Sequence, residues 1–427
     1  MKALAILALL VGCSDRGKAQ PPVPIREPVV TAPVAADASA APVVVAEPPD
    51  AAVPVAAPIV HPVGFDFIAD AKRLYRVAGC GEGPLPEELA KFQKVVDKHC
   101  KSLAPSIERY RAEYFVGTRK WFDDHVPADA PSKVVYLFAG ADLVSALVAF
   151  PKATEITTLS LELAGDPRKL PSLTPAELDQ DLGAFRREIG LLISVGSNSS
   201  KNLSSQQRRF LPGEVSSFLL GLATGGYEPV AMRYFRIDEA GALHYLEQAE
   251  IDADVAKTKP LRGSWNAPSF AESFRHVELS YRKIGETEVR VHRHIAWNLE
   301  DKYLAANPGV LRYLEGKGKV TMLVKGGSYM LWLADFKTIR KYILDHLHWM
   351  LSDSTGVPPT YAKPAGMVQE PFGRFVAPIT PTFDNLANRR EDLDTRALFK
   401  TAKQPMPFRF GYLDRDNNKH VMITRPK

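Results

Sequence analysis

Two acidic residues, Asp142 and Glu162, stand where a strand–turn–helix unit could do chemistry. Asp142 follows an apolar run, Val134 to Phe138, and a small-residue turn, Ala139-Gly140-Ala141. Glu162 ends the next apolar run, Ile156 to Leu161. A glycine at such a turn lets backbone approach a ligand, and an acid at the end of the following strand can bond ribose hydroxyls or act as a general base. The plainer alternative is an unadorned βαβ unit. Further polar residues follow a later strand-like run, Val320 to Val324: Lys325, Ser328 and Tyr329, with Asp353 in the turn Ser352-Asp353-Ser354-Thr355-Gly356. With Gly140, Asp142 and Glu162 they could line one polar pocket, or they could serve only to turn the backbone by local hydrogen bonds.

Other chemistries find less support. A serine hydrolase of the nucleophile-elbow type needs G-x-S-x-G at a strand–helix turn; the chain has none, and Gly327-Ser328-Tyr329 is not that motif. A glycosidase needs two facing carboxylates, and spacing alone does not show whether Asp142 and Glu162 converge. His292 and His294 share one face of a strand, which suits a metal, but no acid or third histidine is placed with them. His346 and His348 fall in a stretch that reads as helix, where they point apart. Both pairs are expected to be structural. Of three cysteines, Cys80 and Cys100 flank one short helical segment and are expected to form a disulfide, two buried thiols being the alternative. No CxxC or Cys/His spacing suggests a zinc site, and no metal or cofactor is specified.

The elements that must position these residues read as follows. Residues 65 to 130 are helical, with Tyr110, Tyr114, Phe115, Trp121 and Phe122 at helical spacings, a stripe expected to dock a helical cap onto a sheet. Leu173 to Ser194 is a long helix opened by Thr174-Pro175-Ala176-Glu177, a capping box with proline in the first turn. Val195 to Ser205 reads as a polar loop, and another helix starts at Pro212-Gly213-Glu214 and stops at Gly225-Gly226. Two hairpins follow, Val230–Asp238 with Leu243–Glu247, and Ser273–Ile284 with Thr287–Trp297. Phe336 to Leu351 reads as a helix, and the tail beyond it as a wrap around the core. The fold class is therefore α/β: a mixed sheet with a Rossmann-like βαβ start, flanking helices and antiparallel hairpins.

The first residues and the composition bear on location. Lys2, the apolar segment Ala3–Leu10 and then Leu10-Val11-Gly12-Cys13 resemble the lipobox of bacterial lipoproteins. That resemblance implies a signal peptide over residues 1–12, a diacylated Cys13 and a lipid anchor; Ser14 after the cysteine implies the outer membrane. Residues 13–64 are rich in proline, alanine and valine, and 11 of the chain's 34 prolines fall between Ser14 and Pro62, where no aromatic occurs. Such a segment buries too little apolar surface to order itself, and at roughly 3 Å per residue it spans up to ~150 Å. Residues 65–427 are expected to form a single α/β domain. A net charge of +5 over 427 residues, with no basic cluster interleaved with aromatics, points away from nucleic acid.

Two likenesses extend the reading. In outline the 133–165 region resembles the first two strands of class I S-adenosylmethionine-dependent methyltransferases. Only Gly140 stands where those motifs use two or three glycines, and Asp142 would repel phosphate, so a related fold implies a cofactor site that is empty or reused. Tyr136 to Asp142 with Phe150-Pro151 and Leu161-Glu162, together with Gly327 to Leu331, Phe336 to Arg340 and Asp353 to Pro358, resembles two blocks of uncharacterised bacterial envelope proteins. That resemblance supplies a grouping over about residues 110–412 and no mechanism. The expectation is an envelope lipoprotein binding an unknown ligand, an envelope protein or the cell wall at the strand carboxyl ends. The alternative is a hydrolase or transferase with Asp142 or Glu162 as general base.

Overall fold

The strand Lys133–Leu137 (β1) alternates its side chains between two apolar layers. Val134 and Tyr136 enter one buried cluster, and Val135 and Leu137 enter another on the opposite face. A strand covered on both sides must be apolar throughout, which is why this run shows no polar alternation. The computed structural model describes residues 63–195, 211–258, 271–353, 356–375, 388–402, 404–410 and 419–427. All belong to a compact unit running from Val60 to Lys427. Cys13, the Pro/Ala-rich segment as far as His61-Pro62 and the serine-rich loop after Val195 lie outside the described residues.

Ten strands form one mixed sheet among the described residues, in the order β4-β3-β5-β6-β2-β1-β7-β8-β10-β9. The central strands are parallel: β1 pairs with β2 (Glu155–Ser160) and with β7 (Val320–Val324), β2 pairs with β6 (Val289–Ala296), and β7 pairs with β8 (Leu347–Ser352). Antiparallel strands flank them. On one side lie β5 (His276–Lys283), β3 (Tyr227–Ile237) and the three-residue edge strand β4 (Leu243–Tyr245), giving the two expected hairpins. On the other lie β10 (His420–Pro426) and β9 (Met367–Gly373).

One apolar layer packs helices α1 (Ile68–Val77), α2 (Gln93–Tyr110), α3 (Arg119–His125), α4 (Leu143–Ala149), α5 (Pro175–Val195) and α6 (Gly213–Gly225) onto the sheet. The aromatic stripe belongs here: Tyr110, Tyr114, Trp121 and Phe122 are buried, and Trp121 meets Phe372 and Phe408 edge-on at 5.4 and 5.5 Å. The opposite layer contains α7 (Asp301–Ala306), α8 (Pro308–Glu315) and α9 (Lys337–His346). The capping box of α5 is formed, with Thr174 N donating to Glu177 Oε2 at 2.8 Å and Glu177 N to Thr174 Oγ1 at 3.3 Å. No helix among the described residues is long and apolar enough to cross a membrane.

Two readings of the chain are corrected. The stretch 336–351 is not one helix: it breaks at His346, and Leu347–Ser352 is strand β8, so His348 lies on a strand. A short apolar run buried on both faces has no period by which to tell strand from helix. The tail does more than wrap the core, because it returns to add β9 and β10 to the sheet. Pro371 and Gly373 mask β9 in the sequence; both are tolerated on an edge strand.

Candidate functional site at the carboxyl ends of the parallel strands

From β1 the chain crosses through α4 to β2 on one side, whereas β7 lies on the other. The carboxyl ends of β1 and β7 therefore form a topological switch point, the place where open α/β sheets offer a crevice to ligands. Asp142 arrives there from β1. Phe138 and Gly140 both take positive φ (56° and 53°) to make the turn, and Asp142 caps α4 by accepting the Ser145 N–H at 3.1 Å. Lys325 arrives from β7, after which Gly326 turns at φ 74°. At Gly327 an added Cβ would come within 2.7 Å of the Phe138 Cβ, so glycine lets the two loops touch.

The two charges meet. Lys325 Nζ lies 2.6 Å from Asp142 Oδ2 and 2.6 Å from Ser145 Oγ, and Tyr136 donates its hydroxyl to the same carboxylate oxygen at 2.9 Å. The Phe410 ring sits 4.7 Å from the ammonium. Tyr110 and Tyr136 are fully buried; burial, reinforced by the Asp142 charge, pushes both phenols well above their ordinary range, so they remain donors. A lysine bonded to a serine hydroxyl resembles an activated nucleophile pair. Here the ammonium already serves a carboxylate and has no lone pair with which to take the Ser145 proton.

The other predicted residues divide among four neighbourhoods. Asp353, fully buried, accepts the Gly326 N–H at 3.0 Å and the Ser328 hydroxyl, so it pins the loop after β7. Gly140 is half-buried in the turn after β1. Tyr329 packs its ring against a small cluster of Trp332, Phe375, Phe399 and Met422. Glu162 belongs to a separate group beneath the start of α6.

That group contains a hydrogen-bonded chain whose proton positions follow from its end. A backbone carbonyl can only accept, so His294 donates Nε2–H to Glu162 O at 2.8 Å, and its Nδ1 accepts from Thr158 Oγ1 at 3.1 Å. Thr158, having given its one proton, accepts from His292 Nε2 at 2.9 Å, which leaves the buried His292 Nδ1 without a partner among the described residues. The Phe218 ring packs on both imidazoles, with centroids 4.5 and 5.1 Å away. Burial holds both histidines neutral, His294 down to about 4 and His292 well below its usual value. They share one face, as expected, and are joined through the Thr158 hydroxyl.

Both side-chain oxygens of Glu162 are buried without a hydrogen-bond partner among the described residues, as is Oε2 of Glu214 in the first turn of α6. Burial first, then the Glu162 charge, raises the Glu214 carboxyl well above the usual range. A buried carboxyl beside a second carboxylate, with no cation paired to it among the described residues, is disfavoured in its charged form, as Glu214 is. Sequence reading placed Glu214 only as a helix start, since its proximity to Glu162 depends on how α6 packs over β6 and the chain that follows β2. Ser145 carried a signal that could have been read: Asp-x-x-Ser is a helix N-cap spacing.

The chain matches no family model, no curated protein and no solved structure.

Proposed function

We propose that this chain is a lipid-anchored envelope protein, most simply of the outer membrane, whose α/β domain works by binding a ligand, an envelope protein or a cell-wall component. The lipobox-like Leu10–Cys13 and the Pro/Ala-rich tether support the anchoring. The Asp142–Lys325 pair carries the binding reading: the acid at the switch point is already neutralised, capped and covered, which leaves it no role as a general base. One observation favours a second reading, a hydrolase or transferase on a degenerate methyltransferase-like fold. Glu162 is not neutralised by any cation among the described residues, so if an acid acts as base, it is Glu162 rather than Asp142.

Two measurements test this. Fatty-acid labelling in a bacterial host should tag the wild type and not Cys13→Ala; a labelled Cys13→Ala protein rules out the anchor. Native mass spectrometry of protein released from its own membranes should find a bound species that wild type and Glu162→Gln both retain unchanged. Conversion of that species by wild type, and not by a folded Glu162→Gln variant, would establish the general-base reading instead.

A further inference from the structure

The Cys80–Cys100 bridge ties the loop after α1 to α2, with Cα atoms 5.4 Å apart. His99 precedes Cys100 on α2, and one of its ring nitrogens lies with the two sulfur atoms inside a sphere of contacts no longer than 4.8 Å. A cavity of about 200 Å³ opens beside the bridge, lined by both cysteines, Ala104 and Ile107, with the exposed Glu108 and Arg111 at its rim. Both cysteines are half-buried, so reagents in solvent can reach them through this cavity.

The tautomer of the histidine is set by its two neighbours. Arg186 can only donate, and it approaches His99 Nδ1 at 3.0 Å, so Nδ1 carries the lone pair and Nε2–H is donated to Ala78 O at 3.1 Å. A neutral ring whose far N–H is held by a backbone carbonyl is the arrangement metal-binding histidines use.

We propose that Cys80, His99 and Cys100 form a redox-gated site for a thiophilic d10 cation, zinc being the ion that fits two thiolates and an imidazole with a fourth position open to water. A dithiol reductant delivers two electrons and two protons. The Cys80–Cys100 S–S bond breaks, two thiols form, and the reductant leaves as its own disulfide. Zinc then forms two Zn–S bonds and a Zn–N bond, both thiol protons pass to solvent, and the two sulfurs open to about 3.8 Å as tetrahedral bonds of ~2.3 Å require. The cavity supplies room for that opening. Arg186 competes for the His99 lone pair and must give way. The oxidised protein has no such site, because its sulfurs are bonded to each other. The inference is independent of the anchoring and of the switch point.

The test uses the whole protein, reduced with dithiothreitol, freed of it under argon and dialysed against zinc. The reduced wild type should take up one zinc per chain and the oxidised protein none. His99→Gln should weaken uptake at least about tenfold, since even outer-sphere partners of a ligand carry effects of that size. Arg186→Met should strengthen it, and cobalt in place of zinc should give thiolate charge-transfer bands. If the reduced chain loses its fold, zinc must restore its far-ultraviolet circular dichroism and must leave that of Cys80→Ser/Cys100→Ser unchanged. Uptake by the reduced wild type equal to that of Cys80→Ser/Cys100→Ser, or unchanged in His99→Gln, overturns the proposal.

Discussion

The ammonium of Lys325 lies 2.6 Å from the carboxylate of Asp142, with 2% and 3% of the two side chains exposed. One partner follows the turn after β1 and the other follows strand β7, so a single contact joins the carboxyl ends of the two strands. A charge pair taken wholly out of water is held by its geometry rather than by net gain, and losing one member strands the other.

Asp142→Asn and Lys325→Met should therefore each destabilise the domain by about 3–5 kcal/mol. The double variant should recover most of that loss, because no charge is left unpaired. Urea unfolding followed by tryptophan fluorescence measures all three; additive losses in the double variant would show that the pair is not coupled.

The Cys80–Cys100 bridge closes a loop with a sequence separation of 20. On chain-entropy grounds, Cys80→Ala/Cys100→Ala should lower stability by about 3 kcal/mol. The same unfolding experiment, run on oxidised wild type and the double variant, checks it.

Acid should weaken the fold through buried histidines. His294 is held down to about 4, chiefly by burial, and His276 and His292 lie well below their ordinary value. A histidine with a depressed folded-state pKa contributes stability that is complete above its unfolded value, near 6.5, and is lost as pH falls towards the folded one. Stability should drop between about pH 6.5 and 4, by about 3 kcal/mol for His294 alone. His294→Gln, which keeps a donor for the Glu162 carbonyl, should show a shallower decline over that window.

Glu214 runs the other way. An acid whose folded-state pKa is raised favours folding while protonated, so its contribution is present near its ordinary value of 4.5 and is lost as pH rises towards the folded one. Glu214→Gln should remove that loss and be at least as stable as wild type at neutral pH. A variant less stable than wild type at pH 7 would mean that the carboxylate is ionised and needed in the folded protein.

The sequence by itself determined the elements near the catalytically suggestive residues. The apolar run ending at Phe138, the glycine turn and the N-cap spacing of Asp142 fix a strand–turn–helix because each depends on residues a few positions apart. The capping box at Thr174 and the alternation in Val289–Ala296 are local in the same way. The tertiary structure decided what those residues face. Asp142 meets Lys325 across 183 positions, and the Thr158 hydroxyl sits between His292 and His294. Glu214 comes under the charge of Glu162. None of these follows from spacing, since each needs strands to be ordered in the sheet and a helix to be packed over them. Strands β8 and β9 escaped for the same reason. Burial on both faces erases the period of one, and an edge position tolerates the proline and glycine that disguise the other.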